Sequence, residues 1–247
     1  MSTGTTPVGT ASEREASRWV RQMFGRVAHR YDLANHLLSF NIDRYWRSFT
    51  VRKVRPVLRR PDARVLDLCC GTGDLMLALE ADRGAPVLGS DFCHPMLTAA
   101  NEKTFSRRKA SKVFESDALQ LPLADRSLDL ITIAFGFRNL ANYQSGLLEL
   151  HRVLRPGGML AILEFSTPPN PLFRAAYGFY SKRVLPLIGG MISGAPDAYT
   201  YLPESVRKFP DAGDLAKRME TAGFARVSYN LLTFGIVALH IGYVRPD

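Results

Sequence analysis

The stretch Leu66-Asp67-Leu68-Cys69-Cys70-Gly71-Thr72-Gly73-Asp74 decides how this 247-residue chain is read. A short apolar run ends on two adjacent cysteines, turns through Gly-Thr-Gly and opens a helical pattern. Thiol chemistry, a metal and a ligand-binding turn are the candidate uses. Zinc ligands need a short loop between them, so adjacent Cys69 and Cys70 cannot chelate together, and Cys93-His94 is a poor second half. No metal is expected. The default for such cysteines is a small buried side chain that shapes the turn.

Outward from this stretch, strands and helices alternate. The run 64–68 reads as a buried strand and 74–82 as a helix. Further strands are expected at 86–91, 112–118, 128–135 and 159–166, with helices near 95–104 and 142–153. The near-continuous apolar run 128–135 suits a strand covered on both faces. "RPGG" at 155–158 is a turn signal. A helix at 211–222, capped by Asp211 and stopped by Gly223, precedes strands near 224–232 and 235–244. This pattern predicts an α/β fold with a doubly wound, mostly parallel seven-stranded sheet. Residues 167–210 interrupt it with many Pro, Gly and aromatic residues, and read as an insertion that covers a site.

A glycine turn after the first strand of such a sheet sits where ligands bind. Gly71 and Gly73 allow close backbone approach. Asp91, at the end of the second strand, can accept hydrogen bonds from both hydroxyls of a ribose. Dinucleotides and S-adenosylmethionine both use this arrangement. A dinucleotide loop wants a third glycine where this chain has Met76, and Asp74 would repel a pyrophosphate. S-adenosylmethionine carries positive charge, which suits a loop flanked by Asp67 and Asp74. Asp117, ending the third strand, can reach an adenine amino group. The expected cofactor is therefore S-adenosylmethionine.

The net charge of +9 is concentrated at one end. Residues 1–60 hold twelve Lys/Arg against four Asp/Glu, and residues 61–247 hold twenty against nineteen. Residues 1–12 are expected to be a disordered tail. Residues 13–31 read as one amphipathic helix, with Ala16, Trp19, Val20, Met23, Phe24, Val27, Ala28 and Tyr31 on its apolar stripe and Ser12 and Glu15 as a capping box. The basic segment 13–60 would be a helical lid beside a methyltransferase domain at 61–247. Its apolar face either packs on its own domain or rests on lipid. Three cysteines make no disulfide framework, no secretory signal follows Met1, and no apolar run reaches bilayer length. A cytoplasmic protein, peripheral on the inner face of the membrane, is expected.

The chain resembles the UbiE-type C-methyltransferases of menaquinone and ubiquinone biosynthesis. The resemblance rests on "YDLANHLLSFNIDRYW" (31–46) and "RVLRPGGMLAILEFS" (152–166), with "LDLCCGTGD", "FGFRN" (135–139) and "YTYLPESVRKFP" (199–210) around them. It runs from about residue 24 to the C-terminus. It implies a Rossmann-like class I methyltransferase fold, cofactor contacts at Thr72, Asp91, Asp117 and Ala118, and a loop shaped by Gly71 and Gly73. It further implies methylation of a ring carbon on a polyprenylated quinol, demethylmenaquinol or the corresponding ubiquinone precursor. The chain departs from the pattern at Asp43, where His is usual, and at Ala134, where Ser is frequent. Cys69 stands where the wider superfamily has its first glycine.

A quinol carbon becomes nucleophilic as the phenolic proton leaves, so an anion-stabilising group or a base is needed near the methyl donor. Arg138, with Asn139 beside it, follows the fourth strand and is the first candidate. Asp43, Tyr201 and His36 are candidates for proton transfer. The segment "VLPLIGGMI" (184–192) could line a tail channel. A nucleic-acid methyltransferase is a rival, but "FGFRN" replaces the Asn/Asp-Pro-Pro-aromatic motif of the amino-methylating enzymes of that class, and no nucleic-acid partner is expected. A non-catalytic binding protein is the other rival, against which stand the intact Thr72, Asp91 and Asp117. Oligomeric state has no signal in the sequence.

Overall fold

The structure is a computed structural model that describes residues 3–28, 32, 36–37, 39–180, 183 and 196–247, the stretch 196–200 by its backbone alone. Seven strands form one sheet: β1 (Val65–Leu68), β2 (Leu88–Asp91), β3 (Lys112–Glu115), β4 (Leu128–Ala134), β5 (Leu154–Phe165), β6 (Ala225–Leu232) and β7 (Val237–Tyr243). Their order is β3-β2-β1-β4-β5-β7-β6. The first five are parallel, and β7 runs antiparallel between β5 and β6. The sheet expected from the sequence is therefore present.

The helices are α1 (Glu13–Val27), α2 (Ile42–Leu58), α3 (Asp74–Arg83), α4 (His94–Ser106), α5 (Tyr143–Val153), α6 (Pro171–Phe179), α7 (Pro196–Lys208) and α8 (Ala212–Thr221). Side chains alternate between two cores, as the period-two geometry of strands requires. Leu66, Leu68, Ile131, Ile133, Leu160 and Ile162 face α5 and α8 through Leu147, Leu150, Leu215 and Met219. Val65, Leu130, Met159 and Leu163 face α2 and α3 through Trp46, Val54, Leu75 and Leu79. Both faces are covered, which is why these strands read as apolar runs.

Four expectations differ from the structure. Residues 3–10 dock instead of trailing as a disordered tail: Thr3 O accepts from Tyr143 N–H, and Thr5 N–H donates to Leu140 O, each at 2.8 Å. The helix expected over 13–31 ends at Val27, and Tyr31 lies outside the described residues. Its stripe of Ala16, Val20, Met23 and Val27 is buried, so the apolar face of α1 packs on its own domain, among Tyr201, Cys93 and Met96, and is closed to lipid. The segment 13–60 is not wholly a lid, because Trp46, Val51, Val54, Val57 and Leu58 of α2 belong to the sheet core.

"RPGG" lies within β5 as an irregularity, not between elements. Leu154 pairs with Leu128 before a shift in register, and Gly157 takes φ +75. The extra length is absorbed as a bulge. The insertion contains α6 and α7, and "VLPLIGGMI" lies outside the described residues.

Candidate active site

The strand order reverses between β1 and β4, and there the loops that follow the two strands face each other. After β1 the chain turns through Gly71 at φ +54 and Gly73 at φ +86, left-handed values that glycine adopts without strain. Cys70 N–H donates to Ser90 O at 2.9 Å and ties the turn to β2. Gly71 N–H donates to Asp91 Oδ2 and Cys93 N–H to Asp91 Oδ1, both at 2.9 Å. The Asp91 carboxylate is thus fixed in plane, with lone pairs left on each oxygen. Burial pushes its pKa up to about 6, against those amides.

Two cavities share Phe24, Cys69, Gly71, Ala134 and Phe135 as walls, and so adjoin. The smaller, about 70 Å³, is lined by Asp91, Asp117, Ala118 and Asn139 among others. The larger, about 320 Å³, is lined by Asp43, Asp67, Thr72, Arg138 and Tyr201 among others. Of the residues expected from the sequence, His36 lines neither, and nor does Gly73. It shapes the start of α3, where Met76 and Ala100 occupy the space a Cβ would need.

The donor set fits a cationic, ribose-bearing cofactor. Asp67 is fully buried beneath the larger cavity. The Thr132 hydroxyl donates to its Oδ1 at 2.7 Å, while Oδ2 has no hydrogen-bond partner among the described residues. Burial pushes this carboxyl up to about 7, and Thr132, the Arg47 charge and the nearby Met76 amide only partly oppose it. A buried carboxylate with one open oxygen calls for a positive group. Asp74, the other acid of the loop, is already matched: Lys103 Nζ lies 2.8 Å from its Oδ1. Burial raises the Asp74 carboxyl, but Lys103 and Arg47 outweigh it and hold it low. Of the two acids read as cation-accepting, Asp67 alone has an open oxygen. Thr72 is drawn into the same network. Its hydroxyl donates to Asp32 Oδ1 at 2.5 Å and accepts from Lys103 at 3.2 Å.

Arg138 is buried in the turn after β4. Its guanidinium donates to Glu164 Oε1 at 2.9 Å and to Phe135 O, and its backbone N–H donates to Glu164 Oε2 at 3.1 Å. The guanidinium also lies 5.3 Å from the centre of the Phe165 ring. Asn139 Oδ1 accepts from the Tyr201 hydroxyl at 3.0 Å, and that hydroxyl oxygen lies 2.7 Å from Thr5 Oγ1. Burial pushes the Tyr201 phenol up, so it acts as a neutral donor.

Asp43 accepts from Ser39 at 2.7 Å and from Arg47, and His36 Nδ1 stands 2.7 Å from its Oδ2. Burial raises the Asp43 carboxyl, but Ser39, Arg47 and His36 outweigh it and keep it ionised. The ligand atoms of His36, Asp43 and Asp74 come within 4.8 Å of one another. Arg47 and Lys103 already supply positive charge there.

Several residues here escaped sequence reasoning. Trp46, Phe135 and Phe165 form an aromatic wall of the larger cavity, with ring centres 5.0 to 6.4 Å apart. The Trp46 indole N–H donates to Thr233 Oγ1 at 2.8 Å and is fixed by it. Glu164 had a signal, a charge in the apolar run "AILEF". Asp32 stands in the quoted stretch 31–46 but was given no role there, and Lys103 had no signal, since solvated lysines look the same.

The Rossmann-like sheet with an acid-lined glycine turn at its switch point is the class I methyltransferase fold. The sequence matches the ubiE/COQ5 methyltransferase family over residues 10–244, and the chain belongs to that family. Membership of the family makes the chain a methyltransferase with S-adenosylmethionine as its methyl donor. It is 51% identical over 221 residues to the demethylmenaquinone methyltransferase of Thermus thermophilus, covering 89% of this chain and 99% of that one. It is 44% identical over 242 residues to the Deinococcus radiodurans protein of the same name, covering 97% of each. Among solved structures it resembles a SAM-dependent methyltransferase from Aquifex aeolicus, with TM-score 0.57 and 23% identity, over 78% of this chain and 89% of that one. It also resembles the [4+2]-cyclase SpnF, with TM-score 0.61 and 15% identity, over 99% and 100%. Likeness at this level shows the fold alone; a fold shared with a cyclase does not define a reaction.

Proposed function

We propose that the chain transfers a methyl group from S-adenosylmethionine to a ring carbon of a polyprenylated quinol, demethylmenaquinol, at the inner face of the membrane. The name carried by the relatives supports the substrate. The observation that carries the mechanism is the fixed, buried Arg138 guanidinium on the wall of the larger cavity, beside the aromatic wall of Trp46, Phe135 and Phe165.

When bound, S-adenosylmethionine supplies an electrophilic methyl group on a sulfonium. In the smaller cavity Asp91 takes the ribose hydroxyls, and Asp117 and Ala118 take the adenine. Asp67 and Thr72 take the methionine end, with Gly71 giving backbone access. The aromatic wall stacks the flat quinol ring and excludes water. Arg138 holds the phenolate that forms when the quinol O–H loses its proton, which places electron density on the ring carbon. That carbon bonds the methyl as the methyl–sulfur bond breaks, its electron pair staying on sulfur and S-adenosylhomocysteine leaving as a neutral thioether. The carbon then releases its own hydrogen as a proton, restoring the aromatic ring. Asp43 is ionised at neutral pH and Tyr201 is not, so Asp43 is the better proton acceptor of the two, while Asn139 and Tyr201 orient.

The test is turnover by the purified chain of labelled S-adenosylmethionine with reduced demethylmenaquinone. The expected product is menaquinol, a methyl in place of the ring hydrogen, read as menaquinone after oxidation in air. Label on tRNA and none on the quinone would overturn the reading. Cell extracts lacking the chain should accumulate demethylmenaquinone.

A further inference from the structure

Helix α6, Pro171–Phe179, has one charged residue, Arg174, among apolar ones, and none of its residues is buried. A helix apolar all round belongs inside a core or against something equally apolar. Tyr177 and Tyr180 turn one side of it toward the larger cavity. Leu172 and Phe179, seven residues apart on the other side, are 80% and 67% exposed. The turn between β6 and β7 joins it. The Phe234 ring centre lies 5.0 Å from that of Phe173, yet Phe234 is 76% exposed. Its neighbours Thr233 and Ile236 line the same cavity. Phe40 lines the cavity while 74% exposed, which puts it at the mouth. Three separate segments therefore present large apolar tips around one opening.

The charge around these tips has one sign. Among the described residues of 167–183 the charged ones are Arg174 and Arg183, both basic, and the turn 231–236 holds no acid. Next to Phe40 the acid Asp43 is buried, while Arg44 is exposed. Apolar tips in a basic surround complement an anionic phospholipid surface.

We propose that α6, the β6–β7 turn and the Phe40 loop form a membrane-docking face that sets the cavity mouth on an anionic bilayer, with Leu172, Phe179 and Phe234 entering the acyl boundary. This rests on the reading of a lipid-tailed substrate and names a different surface from α1, whose apolar face is covered. A substrate tail could then stay in the bilayer while its ring enters the cavity.

The experiment is sedimentation of the full chain with vesicles of phosphatidylcholine and phosphatidylglycerol, without substrate, alongside vesicles of phosphatidylcholine alone. Wild type should bind the anionic vesicles, and less so as salt rises. Leu172→Asp/Phe179→Asp/Phe234→Asp should bind at least tenfold less. It should retain its cofactor affinity and its turnover of a short-tailed quinol dispersed without lipid. Phe234→Trp, which keeps the Phe173 contact, should show an indole emission shifted to the blue with vesicles and quenched by brominated lipid. Unchanged binding by the triple variant would overturn the proposal. So would an unshifted Phe234→Trp, or a dimer in analytical ultracentrifugation that the triple substitution dissociates. Failure of the quinol reading shows instead as no turnover in any lipid condition, and leaves the vesicle results to decide the face.

Discussion

Cys69 and Gly136 compete for one space: a Cβ on Gly136 would stand 2.3 Å from the Cβ of Cys69. Cys69 has φ +53, where a residue with a side chain is strained and glycine is not. The substitution at this position of the glycine turn is therefore accommodated across the cleft, where "FGFRN" supplies the missing glycine. The thiol forms part of the wall common to both cavities. Burial pushes its pKa well above the ordinary value, so it is a packing group and not a nucleophile.

This pairing predicts strong coupling. Gly136→Ala should destabilise by about 1–3 kcal/mol, the usual cost of overpacking, and weaken S-adenosylmethionine binding. Cys69→Gly alone should change stability little, because relief of strain offsets the greater freedom of the unfolded chain. Adding Cys69→Gly to Gly136→Ala should recover much of the loss. Denaturant melts of the four proteins give the coupling directly. Additivity within about 0.5 kcal/mol would mean the two residues do not share the space.

Arg138 and Glu164 form a fully buried ion pair, and breaking such a pair leaves a charge without its partner. Glu164→Ala should cost about 3–5 kcal/mol and depress turnover through Arg138. Glu164→Gln should cost less, because an amide oxygen can still accept from the guanidinium. Arg138→Lys keeps the charge and loses the planar fork. It should lower kcat for the quinol by more than tenfold with the cofactor Kd within about twofold, a split consistent with the substrate side of the cleft. A proportional loss in cofactor affinity would remove Arg138 from the proposed role.

Asp67 and Asp91 predict a pH dependence of opposite sign to ordinary carboxylates. Their folded pKa values, about 7 and about 6, lie above the usual 3.8. The folded state then holds these protons more tightly than the unfolded one, so unfolding releases them between pH 4 and 7. Their contribution to the stability of the ligand-free protein falls as pH rises through that window and is constant above it. Asp43 and Asp74, held low by their partners, contribute stability that is lost only in stronger acid. A cationic cofactor favours the ionised form of Asp67. Its affinity should rise with pH to about 7 and then level off, with protons released on binding near pH 6. Titration calorimetry in buffers of different ionisation enthalpy counts those protons. Asp67→Asn should abolish most of the release, and an affinity flat from pH 5.5 to 8 would contradict the assignment.

How much was legible follows from which contacts are local. The strand containing Leu66 and Leu68 and the strand containing Ile131 and Ile133 are apolar because both sheet faces are covered, so their sequence betrays them. The turn at Gly71 and Gly73 announces itself for a similar reason, since left-handed backbone selects the residue. The docking of Thr3 and Thr5 does not, because a small polar segment is recruited by Leu140 and Tyr143 far along the chain. The bulge at Gly157 reads as a turn, since only pairing with β4 and the backbone of Val244 reveals that the strand continues. Asp91 was placed by its strand end, while Lys103 could be tied to Asp74 only once α4 was set against the loop.

Asp91 predicts the cleanest test of the cofactor's orientation. Asp91→Ala should weaken S-adenosylmethionine binding by about 1–3 kcal/mol, the scale of lost charge-assisted hydrogen bonds. Part of any loss comes from releasing the amides of Gly71 and Cys93, which the carboxylate also holds. A cofactor analogue without the ribose hydroxyls separates the two contributions. If Asp91 accepts from those hydroxyls, the substitution should cost the analogue much less than it costs S-adenosylmethionine, and the wild-type protein should already bind the analogue weakly. Direct calorimetric titration of both proteins with both ligands closes the cycle. An equal loss for the two ligands would mean that Asp91 supports the turn alone, and the ribose would have to lie elsewhere in the smaller cavity.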